Sequence, residues 1–131
     1  MTQPHAIIWL DHYKATIIGF SPDASETHSV QSSHMSSPRL HTKSGTRGSG
    51  HLADDTDFFD EVIHVADIAT EVLVTGPGVA KVAFERYARS HQPLFAKRIV
   101  GVETLDHPSD GELLAYARGR FQRVDQLLGD A

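Results

Sequence analysis

Residues 41–51 read His-Thr-Lys-Ser-Gly-Thr-Arg-Gly-Ser-Gly-His and concentrate side chains suited to meeting a polyanion. Lys43 and Arg47 supply fixed cations for phosphate oxygens, and Arg39 lies just upstream. Gly45, Gly48 and Gly50 leave backbone amides that can approach a sugar-phosphate chain closely, while His41 and His51 can donate hydrogen bonds or stack on bases. Between Glu26 and Asp54 there is no carboxylate, so residues 27–53, with four histidines, carry +3 while the rest of the chain carries −8. A positive segment on a negative body is what a loop needs to approach a polyanion while its scaffold faces away. The window has no aromatic ring beyond imidazole, so phosphate contact by shape is expected rather than single-strand stacking. With no apolar side chain in 41–51 to anchor it, 33–53 reads as a flexible basic loop within the domain.

Other constellations offer less. Thr75-Gly76-Pro77-Gly78 precedes a helix, and Gly76 and Gly78 are candidates for an anion site at its open amides. The paired Lys-Ser/Thr of a phosphate-binding P-loop is missing, and a tight strand-to-helix turn accounts for the glycines equally. Asp11, Asp57 or Glu61, and Asp106 form a conceivable carboxylate set for two-metal phosphodiester hydrolysis, yet no pair has a diagnostic spacing. Nine histidines include no His-x-x-x-His pair on a helix, and His107 reads as a turn residue. No metal or cofactor is therefore expected. A Gly-x-Ser-x-Gly elbow is absent too, and Gly48-Ser49-Gly50 lacks apolar support for one.

With 131 residues, 40% apolar and 22% charged, the chain suits one soluble α/β domain spanning 1–131. A net charge of −5 argues against wholesale coating of nucleic acid and leaves room for a local basic element. The absence of cysteine excludes disulfides and thiol catalysis. Without a signal-like N-terminus or a long apolar run, a cytoplasmic protein with no membrane segment is expected.

The elements that must position these residues follow from patterning. Residues 6–10 and 13–20 are apolar, β-branched runs separated by Asp11-His12, which predicts a hairpin of two largely buried strands. Residues 26–32 alternate weakly and predict an exposed edge strand. Asp54-Asp55-Thr56-Asp57 caps a helix whose inner face is Phe59, Val62, Ile63, Ala66 and Ala69. Residues 72–75 form a central strand. Gly76-Pro77-Gly78 then opens a helix with Val79, Ala80, Ala83, Phe84, Tyr87 and Ala88 inward, stopped by Gln92-Pro93. A strand at 98–104 follows. Ser109 and Glu112 have capping-box spacing for a last helix with Leu113, Leu114, Ala117, Phe121, Val124 and Leu128 inward. The order β-β-β-loop-α-β-α-β-α predicts a three-layer domain with a mixed five-stranded sheet, its second half parallel.

Taken together, the hairpin Ala6–Phe20, His41-Thr-Lys-Ser-Gly45 followed by Phe58-Phe59, Val74-Thr-Gly-Pro-Gly78 with Lys81 and Phe84, and Val100-Gly-Val-Glu-Thr104 with Gly111-Glu112-Leu113 resemble one known pattern. Over roughly residues 5–121 the chain resembles the middle domain of eukaryotic and archaeal class 1 peptide release factors and of their relative Pelota. The resemblance implies an RNase H-like fold and a stand-alone, bacterial-type component of the translational machinery. The loop would then reach toward the peptidyl-transferase region or a tRNA acceptor end. Release factors carry Gly-Gly-Gln in this loop to place water at peptidyl-tRNA; here Ser44-Gly45-Thr46 stands near that place, as Pelota-type domains also lack the tripeptide. Binding, with ribosome or tRNA as partner, is therefore expected ahead of hydrolysis. The alternatives are the metal-dependent nuclease and a protein-interaction module.

Overall fold

In a computed structural model, which describes residues 3–32 and 56–129 and side chains as far as Gln122, the chain folds around one five-stranded sheet. Its strands are β1 (Gln3–Leu10), β2 (Lys14–Ser21), β3 (Ala24–Gln31), β4 (Ala69–Gly76) and β5 (Ile99–Thr104), in the spatial order β3-β2-β1-β4-β5. β1, β2 and β3 form an antiparallel meander, while β4 and β5 run parallel to β1. The helices are α1 (Thr56–Ala66), α2 (Ala80–His91), α3 (Pro93–Ala96) and α4 (Asp110–Gly129). This is the α/β, mixed-sheet arrangement the sequence predicts.

Why β1 and β4 read as unbroken apolar runs follows from their central position, with both faces covered. Ala6, Ile8 and Leu10 of β1, Ala15 and Ile17 of β2, and Val72 and Val74 of β4 point to the face under α1 and α2. Ile7, Trp9, Ile18, Phe20 and Leu73 point to the face under α4, where Leu113, Ala117 and Phe121 close the second core. α1 contributes Phe58, Phe59, Val62, Ile63 and Ala66 to the first core, and Phe59 meets Phe84 of α2 edge to face with centroids 5.5 Å apart. Burying a ring such as Phe84 contributes about 2–3 kcal/mol. α4 is tied to the β5 edge by Arg120, whose Nε donates to Glu103 at 2.7 Å, and by the Tyr116 hydroxyl on the same carboxylate. The predicted capping box is formed reciprocally: Ser109 N donates to Glu112 at 2.9 Å, and Glu112 N donates to Ser109 Oγ at 3.2 Å.

Three details depart from expectation. Ala69 begins β4 instead of ending the first helix, because α1 stops at Ala66 and the turn at 67–68 hands the chain to the sheet, where Ala69 pairs with Gln3. Val79 is 68% exposed, since it stands as the N-cap of α2 before the helix has turned toward the core. Tyr13 lies in the β1–β2 turn and is half exposed; the Asp11 carboxylate accepts from the Tyr13 and Lys14 amides at 2.8 and 2.9 Å, so the turn is one residue longer than the polar pair. Beyond Gln92-Pro93 the chain forms α3, with Phe95 in the core and Leu94 75% exposed.

Candidate nucleic-acid interface

Parallel pairing brings the carboxyl ends of β1, β4 and β5 to one edge of the sheet. The turns leaving that edge are Asp11-His12-Tyr13, Gly76-Pro77-Gly78 and Leu105-Asp106-His107, and they are tied sideways. Leu105 N donates to Gly76 O at 3.1 Å, Thr75 Oγ1 to Ile8 O at 2.8 Å, and Trp9 Nε1 to Asp106 O at 2.7 Å. The His107 ring lies 5.2 Å from that of Trp9, and its Nδ1 is 2.9 Å from Asp106 Oδ1.

The same edge receives both ends of the interval 33–55. Ser32 continues the β2–β3 ladder beside Tyr13, donating its amide to Tyr13 O at 2.8 Å. It is 1% exposed, and its hydroxyl has no hydrogen-bond partner among the described residues. α1 runs alongside α2, with Phe59 against Phe84 and Tyr87, and it hands the chain to the opposite end of β4. Its first residue, Thr56, therefore stands at the carboxyl edge. The candidate RNA-contacting residues Arg39, His41, Lys43, Gly45, Arg47, Gly48, Gly50 and His51 lie outside the described residues.

The two glycines of the candidate anion turn differ. A Cβ on Gly76 would sit 2.2 Å from the Leu10 carbonyl oxygen, so glycine is required there by the close approach of β4 to β1. At Gly78 nothing lies within 4 Å of the corresponding position. No described glycine has a positive φ, so backbone handedness explains neither. The α2 N-cap, Val79, makes no side-chain capping bond, while Lys81, 8% exposed, folds its ammonium onto Gly78 O. The turn thus presents uncapped helix amides beside an unencumbered Gly78.

The carboxylates weighed for metal chemistry are used locally. Asp11 holds its own turn and Asp106 faces His107. No group of three or more His, Asp or Glu among the described residues is arranged to hold a metal ion. Among the described residues no helix is long and apolar enough to cross a membrane.

Two features escaped the sequence. Tyr87 donates to Asp60 at 2.6 Å, clasping α2 to α1. That hydrogen bond, then burial and the charges of Asp60 and Asp57, push the phenol up to about 12. At the opposite edge a groove of about 470 Å³ lies among Ile63, His64, Asp67, Leu94 and Phe95. Arg98 closes one wall by pairing with Asp67 and donating to Ala69 O at 2.7 Å. Helical spacing of Asp60 and Tyr87 on polar flanks carries no pairing signal, and the groove depends on the α3 elbow.

No family model matches the sequence, and no curated protein does either. Solved structures do. Pelota from Archaeoglobus fulgidus superposes with a TM-score of 0.64 at 16% identity, covering 99% of this chain and 34% of that one. Pelota from Thermoplasma acidophilum gives 0.61 at 16% identity, covering 88% and 32%. The chain has the fold of a Pelota domain. An archaeal translation termination factor also aligns, at 0.49 and 15% identity, over 83% of this chain and 32% of that one. The chain spans about a third of the length of the Pelota structures it matches, so the shared part with Pelota is the single sheet and its helices.

Proposed function

We propose that this domain, over residues 1–131, is a non-catalytic, cytoplasmic, translation-factor-like module that associates with ribosomal RNA or tRNA through the basic interval. Arg39, Lys43 and Arg47 would contact phosphates; His41, His51 and the amides of Gly45, Gly48 and Gly50 would complete the contact, and Gly76 and Gly78 would frame a further anion position at the α2 amides. The observation that carries the reading is that Ser32 and Thr56, the residues flanking the interval 33–55 that holds the basic loop, share one sheet edge with the uncapped α2 N-terminus. Cations from the interval and open amides from the fold would then face the same ligand. The fold held in common with Pelota, together with the sequence resemblance to Pelota and release factors, favours RNA of the translational machinery over other polyanions.

The test is co-sedimentation with ribosomes at two salt concentrations. If three cations meet phosphates, raising salt fourfold lowers affinity by about 20–40-fold, and Lys43→Ala with Arg47→Ala removes about two-thirds of the logarithmic slope. Association that is indifferent to salt and to the double substitution would overturn the proposal.

A further inference from the structure

Among the described residues β3 pairs only with β2 and forms one margin of the sheet. Such margins are ordinarily blunted by charged side chains, above all lysine, or by proline, a bulge or brevity. β3 has one carboxylate, Glu26, and no lysine, proline or bulge: Ala-Ser-Glu-Thr-His-Ser-Val-Gln runs eight residues in unbroken register with β2, and seven of the eight are exposed. The strand therefore offers an ordered row of main-chain donors and acceptors.

Its phase is fixed. The Ser32 amide donates to Tyr13 O at 2.8 Å in the register that places Lys14 opposite Gln31, so the even-numbered residues of β3 direct their main-chain groups at β2. Ser25, Thr27, Ser29 and Gln31 therefore direct theirs outward. A second antiparallel strand must bond through these odd positions. If that strand is another copy of β3, the two-fold axis must pass through a residue, never between two.

We propose that two copies of this chain associate through β3, antiparallel and centred on Thr27, to form a continuous ten-stranded sheet. In this register Ser25 bonds to the partner's Ser29, Thr27 to the partner's Thr27 and Ser29 to the partner's Ser25, giving about six main-chain hydrogen bonds. Ser–Ser and Thr–Thr neighbours of this kind are favourable cross-strand pairs. On the other face Glu26 lies opposite the partner's His28, and His28 opposite the partner's Glu26. These are non-hydrogen-bonded positions, where side chains come closest. The two side chains are 48% and 46% exposed and already 3.5 Å apart within one strand. The dimer would thus join two carboxylates and two imidazoles in an alternating square. The neighbouring register, centred on His28, instead sets imidazole against imidazole and Glu26 against the partner's Val30. The pairing of carboxylate acceptors with imidazole N–H donors therefore selects the copy and the register together.

The experiment is sedimentation equilibrium of the full chain at neutral pH, from about 5 µM to about 500 µM, the range suited to a small polar interface. The wild type is expected to dimerise. His28→Glu sets Glu against Glu twice and should weaken the dimer by about tenfold or more, and Glu26→Lys removes both carboxylate acceptors and should weaken it as well. The double variant E26K/H28E sets Lys against Glu twice and should bring affinity back to within about threefold of wild type or tighter. Circular dichroism confirms that each variant folds. A wild type that stays monomeric throughout the range overturns the proposal. So does a dimer insensitive to both single variants, or a double variant no tighter than the singles.

Discussion

Gly76 and Gly78 stand two residues apart in one turn, and the structure assigns them opposite tolerance to a side chain. Replacing Gly76 with alanine puts a methyl group 2.2 Å from the Leu10 carbonyl oxygen and 3.3 Å from its carbon. The first distance is more than about 1 Å inside van der Waals separation, and the obstructing atom is main chain, which cannot rotate away. The end of β4 must move off β1, straining the Leu105 N to Gly76 O and Thr75 Oγ1 to Ile8 O bonds. Overpacking of this kind costs about 1–3 kcal/mol, and a lost buried hydrogen bond adds about 1 kcal/mol. Gly76→Ala should therefore destabilise by about 2–4 kcal/mol, lowering Tm by roughly 10 °C at this chain length. Gly78→Ala meets empty space with an ordinary φ, so it should be neutral or stabilise by up to about 1 kcal/mol through the unfolded chain. Urea denaturation followed by the fluorescence of the single tryptophan, Trp9, and by circular dichroism measures both. Equal midpoints for the two variants would refute the close-approach reasoning.

Tyr87 supplies a pH-dependent prediction. Its folded-state pKa, pushed up to about 12, exceeds the ordinary value of 10.0, so the neutral phenol is the form that folding favours. Its stabilising contribution is complete below about pH 10 and disappears as pH rises through 12. The difference in urea midpoint between wild type and Tyr87→Phe should shrink across that window; a constant difference would contradict the clasp to Asp60. Ser109→Ala removes the hydroxyl that accepts from Glu112 N and should cost about 1 kcal/mol in thermal unfolding, with an unchanged melting curve counting against the cap.

Much of this domain could be read locally. The capping box at Ser109 and Glu112 depends on residues three apart, and the hairpin on two apolar runs beside one turn, so each is encoded within a few positions. The charge segregation at 27–53 is likewise a property of order along the chain. Ala69 and Val79 continue the helical spacing past the helix ends, Ala69 three residues after α1 and Val79 one residue before α2. Only burial in a sheet, or exposure at its rim, separates those cases.

Contacts between distant residues decided the rest. Spacing showed that β4 would be buried, but it could not set β4 beside β1, and that neighbour relation alone makes Gly76 indispensable while leaving Gly78 free. Nor could it bring Ser32, Thr56 and the α2 amides to one edge, since they are joined through strand direction and helix packing across the whole domain. The residue types were fixed by sequence, whereas their convergence arises because hydrogen-bond register and core packing admit one strand order, and that order exists only once the chain has closed.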